Sequence, residues 1–267
     1  MTSLRGVVRH MVRGCLLALV SLVLALRASA GPPFLTDDPE PVATRHWEGY
    51  LFSTMDATRP AKAGVMPALE FNYGAAPDLQ LHVVVPWAFS SLPGVSRTSG
   101  LGDISLGVKL RFVHETDTRP QVGIFPMVSV PTGSSERNLG SGGSAVFLPI
   151  WVQKSFGPWT TYGGGGYTVS HAQGSRDTFS GGWLLQRELG EKVALGAEFF
   201  AQARSSDSTA GTTILDAGGQ VSLAPSFSVL ISAGGSVAGA HHRVAYLGLY
   251  WTWGPVESIQ AKPGSGP

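Results

Sequence analysis

The chain has 267 residues, a formal net charge of +1 and only 14% charged residues, against about 25% in an average soluble protein. It shows no basic surplus to suggest nucleic acid, and its single cysteine rules out a disulfide framework. Beyond the first thirty residues no apolar stretch reaches the roughly 20 residues a spanning helix requires.

Residues 1–30 read as a cleavable secretory signal. Arg5, Arg9, His10 and Arg13 precede an apolar run from Cys15 to Leu26, and Ala28-Ser29-Ala30 supplies a small-residue cleavage site. Removing this segment takes away the cysteine and four arginines, which leaves the mature chain mildly acidic. Residues 31–45 (GPPFLTDDPEPVATR) carry four prolines together with Asp37, Asp38 and Glu40. Proline cannot donate to a sheet ladder, so this segment is either a periplasmic lead-in or a plug folded into the interior.

From 46 to 253 short apolar runs alternate with two kinds of break. Tight ones, such as Pro77-Asp78, Gly157-Pro158, Gly190-Glu191 and Pro225-Ser226, take turns with long polar ones near 91–100, 132–144, 171–177 and 204–211. The pattern predicts about twelve strands, near 46–55, 64–75, 78–90, 101–113, 120–131, 144–156, 159–170, 178–189, 192–203, 212–223, 226–236 and 242–253. Each is close to the ~10 residues of a tilted membrane strand. The fold class expected is all-β, a transmembrane antiparallel up-and-down β-barrel with short periplasmic turns and longer extracellular loops. The stretch 114–119 is long for a turn on its side. Residues 254–267 form a Pro/Gly/Ser-containing tail expected to be disordered.

Several strands alternate cleanly. Leu79, Leu81, Val83, Val85 and Trp87 oppose Gln80 and His82; Ile104, Leu106, Val108, Leu110 and Phe112 oppose Asp103, Ser105, Lys109 and Arg111. Charge is costly against lipid, so the apolar faces point outward. The expected interior candidates are Glu70, Asn72, Gln80, His82, Asp103, Lys109, Arg111, Glu198, Asp216 and Gln220. Strands five, six and eleven carry apolar residues on both faces, through either an apolar interior lining or a shifted boundary. Aromatics near strand ends, Trp47, Tyr50, Trp87, Phe112, Phe156, Trp159, Phe227, Tyr250, Trp251 and Trp253, read as interfacial girdles.

The lead-in from Gly31 to Val42 with His46-Trp47-Glu48, the strand opening Gly100-Leu101-Gly102-Asp103, and the turn Ser155-Phe156-Gly157-Pro158-Trp159 resemble the family labelled putative meta-pathway of phenol degradation. The resemblance implies an outer-membrane barrel for uptake of aromatic compounds, and it brings no catalytic residues.

No metal or cofactor is expected, because His241-His242 would point to opposite faces of a strand and no ligand spacing occurs. No G-x-S-x-G or S-x-x-K motif marks a nucleophile. The reading is a Gram-negative outer-membrane channel, favoured as a monomer and not an enzyme, passing small hydrophobic or aromatic solutes. Its expected partners are outer-membrane lipid, the solute and the barrel-assembly machinery. A filled barrel with a structural or loop-mediated role is the alternative, and a barrel hydrolase a third.

Overall fold

Runs with apolar residues at every second position pair their backbone groups laterally, and in lipid only a closed ring leaves no unpaired edge. The computed structural model describes residues 32–58, 61–94, 96–207 and 209–255, and shows such a ring. Twelve strands, two of them interrupted, follow one another in chain order: β1 (Trp47–Thr58), β2 (Ala61–Ala76), β3 (Leu79–Ser91), β4 (Thr98–Leu101 and Ile104–Val113), β5 (Gln121–Ile124 and Met127–Val130), β6 (Ala145–Phe156), β7 (Trp159–Ser170), β8 (Thr178–Glu188), β9 (Val193–Gln202), β10 (Thr212–Ala224), β11 (Phe227–Gly239) and β12 (Arg243–Trp253). All neighbours are antiparallel, and the barrel closes where β1 meets β12 from Trp47↔Trp253 to Ala57↔Arg243. The described residues contain no helix. The expected signal at 1–30 and nearly all of the tail at 254–267 lie outside the described residues.

The outer wall is apolar. Leu106, Leu195, Leu215 and Leu247 are each about half exposed, as are Trp87, Phe112 and Trp183. Trp47 stacks on Trp253 across the closure, with ring centres 6.0 Å apart. Two members of the expected girdles do not belong to it. Tyr50 and Tyr250 are 3% and 8% exposed and turn inward, where both hydroxyls donate to Glu48. An aromatic near a strand end carries no mark of its face beyond its parity.

Two irregularities, a bulge in β2 and the break in β5, each have a local cause. β2 extends further back than expected because Met66 and Pro67 sit in a bulge where register shifts between Val65 and Ala68, the position in which a strand tolerates proline. β5 breaks at Phe125-Pro126. Pro126 has no N–H to give, but its carbonyl accepts from Val108 N at 3.1 Å. The break turns Phe125 inward to 3% exposure. With Trp151 and Leu230, also buried, Phe125 explains why strands five, six and eleven are apolar on both faces. The interior has an apolar lining.

The short turns, the start of β1 and the end of β12 share one rim, and the long loops share the other. The stretch 114–120 is the longest connection on the short-turn rim. It is tied down by Lys154 to Glu115 at 2.8 Å and by Thr116 N donating to Arg119 O at 2.9 Å.

Candidate functional site

Inward-facing side chains of alternate strand positions converge on the lumen, and residues 32–45 lie there as a strap. The strap crosses from one wall to the opposite one by a chain of polar contacts. Ser232 of β11 donates to Pro33 O at 2.8 Å. Both oxygens of Glu198 on β9 accept strap amides, Leu35 N at 2.7 Å and Thr36 N at 2.8 Å. Lys109 of β4 reaches Asp37 at 2.9 Å and Asp38 at 3.5 Å. Gln121 and Gln153 donate to Glu40 at 3.2 and 3.4 Å. Gln80 accepts from Val42 N at 2.9 Å, and a single parallel bridge pairs Thr44 with Gly74.

That one bridge is as much ladder as the segment's prolines permit. Backbone donors that no ladder satisfies are met by side chains instead: Leu35, Thr36 and Val42 N by the wall residues Glu198 and Gln80, and Asp38 and Glu40 N by the strap's own Asp37 and Asp38. Glycines on the wall make the room: a Cβ at Gly182 would overlap the Thr36 hydroxyl, and one at Gly123 would press on Pro39. Thr36, Asp38 and Pro39 are completely enclosed. Burial pushes the Asp38 carboxyl well above the usual carboxylate range, and the Lys109 ammonium pulls it the other way.

Beside the strap lies a network of wall residues. Glu48 accepts from Tyr250 at 2.8 Å and Tyr50 at 3.2 Å. Glu70 accepts from Asn72 at 2.9 Å, and a His82 ring nitrogen pairs with Asn72 Oδ1 at 2.7 Å. The Lys109 ammonium lies 4.9 Å from the Phe125 ring centre, and His82 packs on that ring edge-on. At the short-turn mouth Arg111 holds Asp78 through two N–H groups at 2.9 and 2.8 Å and donates to Gln121 at 3.0 Å. Arg111 and Gln121 border a cleft of about 550 Å³ that includes Glu40, Glu115, Lys154 and Glu188.

Of the sequence-predicted interior residues, Glu70, Asn72, Gln80, His82 and Lys109 gather around the middle of the strap. Glu198 and Asp216 oppose each other in register on β9 and β10, where Asp216 accepts from Ser232 at 3.1 Å. Gln220 lies further along β10 and donates to Ser222 at 3.5 Å. Arg111 is at the mouth. Asp103 lies apart from these residues. It sits at the break in β4, and its carboxylate accepts Gly133 N at 2.9 Å, Ser141 N at 2.7 Å and the Ser141 hydroxyl at 2.8 Å. It fastens the loop between β5 and β6 instead of joining the lumen network.

Sequence reading missed Glu48, Phe125, Trp151 and the strap's own acids. Glu48 was findable, because it shares the parity of Tyr50 on a strand whose odd positions, Ser53 aside, are apolar or glycine.

A family model described as "Putative MetA-pathway of phenol degradation" matches residues 62–249. Among solved structures, the chain is similar to the COG4313 outer membrane channel from Pseudomonas putida F1, with a TM-score of 0.67, 16% identity, and 81% of this chain and 98% of that one covered. It is also similar to the NanC porin (TM-score 0.55, 7% identity, 76% of this chain and 98% of that one). A third is the translocator domain of the autotransporter NalP from Neisseria meningitidis (TM-score 0.50, 11% identity, 92% and 97%). No curated protein matches the chain.

Proposed function

From a chain that belongs to the family described as "Putative MetA-pathway of phenol degradation", and whose barrel is of the outer-membrane kind, we propose a channel for passive passage of small hydrophobic or aromatic solutes. The observation that carries this is the mixed interior. Phe125, Trp151, Leu184 and Leu230 are buried on the inner wall, where a water-filled pore for polar solutes would carry polar side chains throughout. An aromatic solute can slide over such side chains while hydroxyls and amides of the strap network take its polar group.

A second reading rests on the tightness of the same interior. Leu184, Tyr162 and Asp38 have no exposed surface, as in a barrel filled for a structural or loop-borne role. Flux separates the two. Proteoliposomes holding the mature protein should take up a small phenol faster than protein-free ones, and faster than they take up a sugar of equal size. Uptake equal to that of protein-free vesicles for both solutes would leave the filled barrel.

A further inference from the structure

The outer wall carries a feature unconnected with the lumen, at the rim where the long loops begin. One cross-strand row runs Ser91, Lys62, Ala57, Arg243, Gly235 over β3, β2, β1, β12 and β11. Residues opposite one another in register share a face. On β1 and β12 that face is the one bearing Met55 and Leu247, both exposed apolar side chains. Lys62 and Arg243 therefore project from the lipid-facing wall. Both are exposed, and neither has an ion-pair or hydrogen-bond partner among the described residues.

A third cation joins them. The Arg97 guanidinium lies 5.1 Å from the ring centre of Phe89, and Phe89 shares the face of Ser91 two residues along β3. Stacking on an aromatic face orients a guanidinium and leaves its edge donors free. No carboxylate offsets this trio from the neighbouring strands. Asp56 turns to the opposite face, where His242 binds it at 2.8 Å, and Asp103 is taken up by loop amides. Two strand spacings separate Lys62 from Arg243, roughly 10 Å. Ser91, Ala57 and Gly235 alternate with the long side chains, so the row has open floor between its charges.

Unpaired cations on a lipid-facing wall, just above an apolar band, are complementary to anionic headgroups. We propose that this row binds the phosphate groups of a phosphorylated glycolipid in the outer leaflet. Its acyl chains would lie over Met55, Leu69 and Leu247, and its phosphates would take Lys62, Arg97 and Arg243 as charge-assisted donors. The proposal does not depend on what the lumen passes.

The test uses the folded mature protein in detergent, with diphosphorylated lipid A as probe and native mass spectrometry as readout. Lys62→Ser/Arg97→Ser/Arg243→Ser should lower retention of the lipid by about tenfold or more, from the headgroup attraction of each basic residue. Lys62→Ser alone should lower it in part. Arg187→Ser, which removes a cation stacked on Trp159 at the opposite rim, should change nothing. Heat-dependent gel mobility reports that each variant is folded. Dephosphorylated lipid A should be retained no better by the parent than by the triple variant, and inorganic phosphate at the lipid's concentration should not displace the lipid. Equal retention of diphosphorylated lipid A by parent and triple variant overturns the proposal. So does displacement by inorganic phosphate, which would mark a free-anion site.

Discussion

Lys109 is the residue on which the interior's electrostatics turn. Its side chain is 5% exposed and faces Asp37 and the fully enclosed Asp38, so its removal leaves carboxylates buried without a counter-charge. Breaking one side of such a pair costs about 3–5 kcal/mol, because the surviving charge stays desolvated. Lys109→Met should lower the unfolding midpoint accordingly, and Lys109→Met/Asp38→Asn should recover part of the loss in a double-mutant cycle. Additive losses would mean that the two groups do not interact. Glu198 acts through geometry. Both of its oxygens accept a strap amide, and a glutamine there would aim an NH₂ at one of those amides. Glu198→Gln should therefore free the Pro33–Thr36 end and leave the Lys109 end docked. A cysteine placed at Leu35 should label faster with a water-soluble maleimide in the Glu198→Gln background, and equal labelling rates would dismiss the latch.

At the scale of the strands, the two faces of the wall predict different tolerance to charge. Leu106 and Leu195 are about half exposed on the lipid side, and arginine at either should cost about 2–4 kcal/mol if it lies near the bilayer midplane. Ser105 is adjacent to Leu106 but inward-facing, so Ser105→Arg should cost less in the same urea titration. Equal costs would mean that the faces are exchanged. These faces were legible because period two is a property of each strand by itself, and ten-residue alternation between turn signals predicted the twelve strands closely. What was not legible depended on contacts between elements. Tyr50 and Tyr250 look like girdle residues until Glu48 is seen between them. Asp103 looks like one more inward charge until the β5–β6 loop folds over it. The strap had no period to read, and its acids gave no sign that their partners were a lysine on β4 and two glutamines on β5 and β6.

For the whole molecule the strap decides how much of the barrel is open. A ring of twelve strands is wider than the eight-stranded barrels that side chains alone fill, and narrower than the 16–18-stranded porins with aqueous channels. Whether it conducts depends on what else occupies it. Residues 33–43 occupy it through contacts to β3, β4, β5, β6, β9 and β11, most of them polar and each replaceable by water once the segment is gone. The twelve-stranded ring is closed by its own ladder between β1 and β12 and needs no strap residue for that pairing. Deleting 32–45 should therefore leave a folded, heat-modifiable barrel whose single-channel conductance in planar bilayers rises several-fold over the parent. The exposed wall would then present Glu48, Glu70, Glu198 and Asp216 against Lys109 and Arg111, and fixed charge in a narrow low-dielectric pore favours ions of the opposite sign. The reversal potential in a potassium chloride gradient should move towards cation selectivity. A deletion variant that folds but conducts no better than the parent would show that Phe125, Trp151, Leu184 and Leu230 close the lumen without the strap's help.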